Sequence, residues 1–261
     1  MKVWNGKRVL ILGAARQGFA LARWLSIHGA RVTLSDANSA DDLSIARSSL
    51  AEYPIHWALG GHPLELLDST DVLCLSGGVP LTLPIVAEAV RRGIPLSNDS
   101  QIFMEVVACK TIGITGSAGK TTTTTLVGRM AAHAYGERAY VGGNIGDPLI
   151  NYVDKIDSKD VAILEISSFQ LEQMTISPNI AAILNVTPNH LDRHGTMEAY
   201  AGLKGRLVQD ALHPVVGDDD DWCRDISERL RLADRGWVDI LSAHSRVRHG
   251  WYASDGTLVS G

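Results

Sequence analysis

A glycine-rich stretch near the middle of the chain, Gly113–Thr125, most constrains what this sequence can fold into. It follows an apolar segment typical of a buried strand and precedes apolar residues at helical spacing. Gly116 and Gly119 let backbone N–H groups approach anionic oxygens, while Lys120 can reach terminal phosphates. The Thr121 hydroxyl can complete a Mg²⁺ shell, so the stretch predicts a loop that binds a nucleoside triphosphate. The predicted nucleotide-binding residues are Gly116, Ser117, Ala118, Gly119, Lys120, Thr121 and Thr122.

The loop differs from the standard P-loop, which has a glycine where Ile114 stands. This difference disfavours a kinase or GTPase loop. It leaves open a glycine-rich strand-to-helix turn that binds no ligand.

Composition narrows the class of protein. A chain of 261 residues that is 45% hydrophobic can bury a large core, and we favour two medium domains over one large one. The net charge of −5 argues against nucleic-acid binding, which needs a basic surface. Three widely spaced cysteines imply no disulfide framework and no zinc site. The sequence shows no signal segment and no long apolar run, so we expect a cytoplasmic protein that does not enter membranes.

Strand-like and helix-like segments alternate along the chain, which predicts an α/β fold with mostly parallel sheet. We place a domain boundary at residue 107. Residues 1–107 are predicted to form a Rossmann-like domain, and residues 108–261 a P-loop NTPase-like domain that binds ATP. Near the end of the chain, Asp255-Gly256 predicts a hairpin turn. The acidic run Asp218–Asp221 is interpreted as a solvated turn in preference to a metal site.

The first domain carries a pattern similar to a dinucleotide-binding fingerprint. Gly13 to Gly18 follow a strand and open a helix, and Asp36 ends the next strand. Close helix–strand packing without a ligand remains an alternative, since Ala15 stands at the middle glycine position. With an ATP loop in the second domain, the pattern favours a nucleotide-linked substrate whose diphosphate lies at the helix N-terminus after Gly18.

Five stretches occur in an order that resembles the Mur ligase family. They are Ser76-Gly-Gly-Val-Pro80, the loop Gly113–Thr125, Gly142-Gly-Asn-Ile-Gly146, Glu165-Ile-Ser-Ser-Phe-Gln-Leu171 and Asn185-Val-Thr-Pro-Asn-His-Leu-Asp-Arg-His194. The family forms amide bonds at the expense of ATP through an acyl phosphate. The resemblance implies addition of D-glutamate to UDP-N-acetylmuramoyl-L-alanine in cytoplasmic peptidoglycan synthesis, with ATP and Mg²⁺ as cofactors.

The resemblance also implies roles for single residues. The expected catalytic residues are Lys120, His190 and Lys204. The expected magnesium ligands are Thr121, Glu165, His190 and Lys204, the last as a lysine carbamylated by CO₂, because an unmodified ammonium would repel the metal. The expected substrate-binding residues are Arg16, Gln17, Gly18, Asp36, Ser76 and Asn144.

Members of the family carry three domains, so the resemblance implies that this sequence is a fragment or a naturally truncated relative. We expect a monomer that binds UDP-substrate or nucleotide weakly and does not ligate alone. Two alternatives stay open: another ligase of the family that uses a different amino acid, and a non-catalytic nucleotide-binding module.

Overall fold

The computed structural model of the protein describes residues 3–233 and 237–261. The chain divides into two compact units. Unit 1 contains Met1–Val106 and Asp147–Lys155, and unit 2 contains Val107–Gly146 and Ile156–Gly261. None of the helices in the described ranges is long and apolar enough to cross a membrane.

Unit 1 is built around a five-stranded parallel sheet with the strand order β3-β2-β1-β4-β5. Its strands are β1 Arg8–Leu12, β2 Arg31–Asp36, β3 Ile55–Leu59, β4 Val72–Leu75 and β5 Leu96–Ser97. Its helices are α1 Arg16–Ile27, α2 Ser44–Ser49, α3 Pro84–Arg91 and α4 Asp99–Val106, with 3₁₀ turns at Leu64–Ser69, Leu149–Asn151 and Val153–Lys155. Apolar side chains of β1 and β4 are buried against α3, which forms the core on that side.

Unit 2 contains an eight-stranded sheet with the order β13-β12-β11-β10-β9-β6-β8-β7. Its strands are β6 Lys110–Thr115, β7 Ala139–Gly143, β8 Val161–Glu165, β9 Ile180–Ile183, β10 His213–Gly217, β11 Asp239–Ser242, β12 Gly250–Ser254 and β13 Thr257–Ser260. Its helices are α5 Lys120–Tyr135, α6 Ser168–Leu171, α7 Leu191–His194, α8 Met197–Gln209 and α9 Asp221–Leu232. A 3₁₀ turn at Gly136–Arg138 follows α5. The predicted α/β class with mostly parallel sheet is confirmed, and only the β12–β13 hairpin is antiparallel among the described pairs.

The helices of unit 2 divide unequally between the two faces of its sheet. Helix α5 packs on β6, β7 and β8, whereas α8 and α9 pack on β9 and β10. Ala182 contacts the core cluster on the α5 side, and Val215 lies beside it in register. Because side chains alternate along a strand, the next residue, Val216, faces α9 and is fully buried while Val215 is half-buried. The α5 face is therefore less covered at β9 and β10 than the opposite face.

Candidate active site

The predicted phosphate loop joins β6 to α5 in unit 2. Gly119 precedes α5 with a φ of 80°, a left-handed conformation that favours glycine. Asn185, at the end of the neighbouring strand β9, holds the loop: its side-chain oxygen accepts from the Ala118 N–H at 2.9 Å, and its carbonyl accepts from the Ser117 N–H at 2.9 Å. The backbone of the loop is thus braced by a residue far away in sequence.

Two lysines meet at one carbonyl oxygen of this loop. Lys120 Nζ donates to the Gly116 oxygen at 2.8 Å and to the Ser117 oxygen at 3.3 Å. Lys204, on α8, donates to the same Gly116 oxygen at 3.0 Å and to Thr115 Oγ1 at 3.4 Å. Two lysine amines at one acceptor gather several N–H donors at one point, which suits an anionic ligand.

Lys204 is almost fully buried, with 1% of its surface exposed. Burial, with a smaller contribution from the neighbouring charge of Lys120, lowers the pKa of Lys204 from 10.5 to about 7. Its ammonium also lies 4.7 Å from the centre of the Tyr200 ring, which offers some compensation through a cation–π contact. Near neutral pH a substantial fraction of this amine is therefore uncharged.

Glu165 brings together two other predicted site residues. It ends β8 and is 2% exposed, and one carboxylate oxygen accepts from the Thr121 hydroxyl at 2.8 Å. The other oxygen accepts from the Asn144 side-chain amide at 2.8 Å. Gly143, at a φ of 99°, lets the end of β7 lie close to the backbone of Glu165, because a Cβ there would lie 2.5 Å from the Glu165 carbonyl oxygen.

The Thr121–Glu165 pair has the chemistry that Mg²⁺ prefers, since both side chains offer hard oxygen atoms. It lies directly after Lys120, where the phosphates of a nucleotide are predicted to sit. Among the described residues, no group of three or more His, Cys, Asp or Glu side chains is placed to hold a metal. The donor set present is thus a hydroxyl and one carboxylate, which suits a metal that keeps several waters or substrate oxygens.

His190 lies outside this pair. It is exposed, precedes the short helix α7 and has the left-handed φ of 52°. Its ring packs against Phe169 with 5.0 Å between ring centres. Asp192 and His194 follow on α7, but His194 Nε2 lies 3.0 Å from Ser168 Oγ, which ties it to the start of α6.

The predicted substrate residues of unit 1 lie at the carboxyl ends of its strands. Arg16, Gln17 and Gly18 open α1, and a Cβ on Gly18 would lie 2.0 Å from the Gly13 carbonyl oxygen, so only glycine permits this close packing. Ser76 Oγ donates to the same oxygen at 2.7 Å. The loop and the helix N-terminus are thus packed tightly together.

Asp36 and Gln17 are engaged by backbone N–H groups. The Asp36 carboxylate accepts from the Ala14 N–H at 2.6 Å and from the Asn38 N–H at 2.8 Å, and Gln17 Oε1 accepts from the Gly77 N–H at 2.9 Å. Both side chains therefore brace loops of unit 1 at the carboxyl ends of its strands. Asn144, the remaining predicted substrate residue, belongs to unit 2 and contacts Glu165.

Sequence reasoning missed Asn185 as the residue that braces the phosphate loop, although it opens one of the quoted stretches. An asparagine directly after a strand that neighbours the loop strand was the only signal for it. The acidic run also has more order than a solvated turn. Asp219 accepts from Ser242 Oγ at 2.6 Å, and Asp220 caps α9 by accepting from the Cys223 N–H at 2.8 Å.

Comparisons with known proteins agree on one family. Residues 114–243 match the Mur ligase middle domain. The chain is 38% identical to UDP-N-acetylmuramoylalanine--D-glutamate ligase of Pelotomaculum thermopropionicum over 264 aligned positions, which cover 100% of this chain and 57% of the relative. It is 43% identical to the protein of the same name from Symbiobacterium thermophilum over 203 positions, covering 78% of this chain and 44% of the relative.

Solved structures show the same fold at low sequence identity. A UDP-N-acetylmuramate:L-alanyl-gamma-D-glutamyl-meso-diaminopimelate ligase from Neisseria meningitides aligns with a TM-score of 0.63 at 18% identity, over 98% of this chain and 84% of that one. UDP-N-acetylmuramate-alanine ligase from Thermotoga maritima aligns with a TM-score of 0.52 at 17% identity, over 92% and 53%. The chain spans about half the length of the curated relatives it matches.

Proposed function

This chain belongs to the Mur ligase family, and on that premise we propose that it provides the UDP-substrate and ATP portions of a ligase that adds D-glutamate to UDP-N-acetylmuramoyl-L-alanine. The relatives named for that reaction are 34% to 43% identical to it. The observation that carries the ATP part is the loop in which Lys120 and Lys204 share the Gly116 carbonyl beside the Thr121–Glu165 pair.

In this proposal ATP and Mg²⁺ would supply phosphoryl transfer, which activates the substrate carboxylate toward an amine. Thr121 and Glu165 would hold the metal through their oxygens, and Lys120 would turn from the loop carbonyls to the phosphates. The protein then aligns charges and reactants and needs no nucleophile of its own. His190 would contribute to a second metal position and to substrate placement.

Lys204 is proposed to be carbamylated. The neutral amine attacks CO₂, and as the new N–C bond forms, one C=O π electron pair moves onto oxygen. The nitrogen then loses a proton to solvent, so that a neutral amine becomes an anionic carbamate. The lowered pKa of Lys204 supports this step, because only the uncharged amine reacts. A carbamate signal at Lys204 in isotope-labelled bicarbonate is the expected NMR result; a free amine at Lys204 beside an occupied second metal position would contradict it.

The UDP-substrate is proposed to bind unit 1, with its diphosphate at the N-terminus of α1 near Arg16, Gln17 and Gly18. Asp36 would serve the uridine region chiefly by shaping the loop, given its two backbone partners. Ser76 would contact the ligand along its length, and Asn144 would face the muramoyl group. A cytoplasmic monomer is proposed with this function.

Calorimetric titration of this chain tests the proposal, with UDP-N-acetylmuramoyl-L-alanine and Mg-ATP as separate ligands. We expect both to bind, and Lys120→Met to weaken ATP alone by about tenfold or more, since a charge-assisted phosphate contact is worth about 1.5–3 kcal/mol. Lys159→Met, at an exposed lysine of the same unit, is the matched control. Binding of ATP without any binding of the UDP ligand would instead indicate a plain nucleotide-binding module.

A further inference from the structure

His190 holds a backbone conformation that its own chemistry disfavours. Among the described residues, only His190 and Asp255 have a positive φ without being glycine, and Asp255 lies in the β12–β13 turn. The left-handed conformation is unfavourable for most residues with a Cβ and persists where its surroundings hold it. His190 lies at no hairpin turn, so neighbouring groups must stabilise it.

One aromatic ring provides the contact surface for His190. Phe169, on α6, lies 5.0 Å from the His190 ring, measured between ring centres. The guanidinium carbon of Arg193 lies 4.3 Å from the centre of the same Phe169 ring, a cation–π distance. Arg193 also donates its backbone N–H to the His190 carbonyl at 3.1 Å. Arg193 is therefore linked to His190 through both the ring and the backbone.

Arg193 is itself held by a carboxylate. Its Nη2 donates to Glu172 Oε2 at 2.6 Å and its Nε donates to Glu172 Oε1 at 3.2 Å, which is the two-pronged geometry specific to arginine. The two side chains are only 17% and 7% exposed, so solvent competes little with the pair. A lysine could supply the positive charge, but it could not form both hydrogen bonds to Glu172 or stack a planar group on the Phe169 ring.

We propose that Glu172, Arg193 and Phe169 form a clamp that fixes the backbone and the ring of His190, which makes Arg193 a positioning residue. The functional part of this inference rests on the proposed role of His190 at a metal position. Phe169 and Glu172 lie in the segment that directly follows Glu165, at the end of β8. The clamp therefore links His190 to the strand end that carries the other candidate metal ligand.

NMR of the metal-free protein tests the positioning itself. The protein contains nine histidines, and His190→Gln identifies the resonances of that ring. Because the Phe169 ring current shifts neighbouring protons, we expect the His190 ring resonances to move in Phe169→Leu and in Arg193→Gln. Arg229→Gln, which removes an exposed ion pair of the same unit, should leave them in place.

The other histidines of unit 2, among them His133, His213 and His249, report whether each variant is folded. If Arg193→Gln does not fold, Arg193→Lys replaces it with the same expectation, because lysine cannot form the fork. His190 resonances that stay unchanged in the Arg193 variant overturn the proposal, whatever the ligand experiments show.

Binding of Mn²⁺ in the presence of ATP tests the consequence. We expect Arg193→Gln to weaken Mn²⁺ binding about tenfold, as loss of a group that orients a metal ligand does, and His190→Gln to do the same. If His190→Gln weakens Mn²⁺ binding and Arg193→Gln does not, the positioning role of Arg193 is overturned. An unchanged affinity in His190→Gln contradicts the proposed function of His190 and leaves the clamp supported by the metal-free NMR result.

Discussion

Replacing Lys204 by methionine should stabilise the metal-free protein at neutral pH. Folding buries the amine and lowers its pKa from 10.5 to about 7. Between these two pH values the unfolded chain binds a proton at Lys204 that the folded chain binds poorly. Since a tenfold change in a protonation equilibrium is worth about 1.4 kcal/mol, the lowered pKa of Lys204 corresponds to a loss of stability of about 4 kcal/mol at neutral pH.

Methionine removes this cost and retains most of the volume. It also gives up the hydrogen bonds to Gly116 and Thr115, worth about 1 kcal/mol in all. We therefore expect a net gain of about 3–4 kcal/mol at about pH 7. The sign follows from the protons bound: the unfolded state binds more below its pKa of 10.5, so the wild type loses stability as the pH falls toward 7. The gain from methionine should shrink as the pH rises and vanish near about pH 10, above which the lost hydrogen bonds leave the variant slightly less stable.

The assay is urea unfolding followed by circular dichroism in CO₂-free buffer without metals, at about pH 7 and about pH 10. The unfolding transition of unit 2 is the one that should move. Lys159→Met, at an exposed position, should change the unfolding free energy by less than about 0.5 kcal/mol. A Lys204→Met variant that is less stable at both pH values, or equally stabilised at both, would refute the reasoning.

Two further predictions follow from the packing and the ion pairs. Val216→Lys should abolish folding of unit 2, because it buries an unpaired charge under α9. Val215→Lys should lower the free energy of unfolding by only about 1 kcal/mol, because this residue lies on the less covered face of the sheet. The urea midpoints of the two variants compare these effects, and equal losses of stability would contradict the unequal covering of the two faces. Arg8 holds the pKa of Asp71 down to about 2, so Asp71→Asn should lower the thermal midpoint at neutral pH. That difference should fade as the pH falls from about 4 toward 2, and a difference that persists in acid contradicts the pairing.

Local patterns were enough to predict much of the fold. The apolar runs of β1, β4 and β8 appear as buried strands, and the turn at Asp255-Gly256 has the two positive φ angles, 48° and 72°, that the pair favours. Strand β10 was not predicted. It contains Pro214 inside a strand with neighbours on both sides, and proline is uncommon there because it cannot donate to the ladder.

The candidate site was predicted as a set of residues but not as a set of contacts. The proximity of Thr121 and Glu165 follows from the parallel pairing of β6 with β8; a parallel sheet was predicted, but not which of its strands pair. The partners of Asp36 and the bracing by Asn185 depend on which strand ends meet, and no local pattern carries that information. The positive φ of His190 likewise has no signal in the local sequence.

Unit 1 is discontinuous in sequence, which limits how the protein can be dissected. The chain leaves it after Val106 and re-enters it for Asp147–Lys155. Within that short segment Asn151 accepts from Arg23 at 2.7 Å, and Asp154 accepts from the Trp24 indole at 3.3 Å. A gene truncated at residue 106 would encode every strand of the unit 1 sheet. Its product would nevertheless lack Asn151 and Asp154, the hydrogen-bond partners of Arg23 and Trp24 on α1. We expect a synthetic peptide of the segment to restore these contacts, and tryptophan fluorescence of the fragment with and without the peptide would test this.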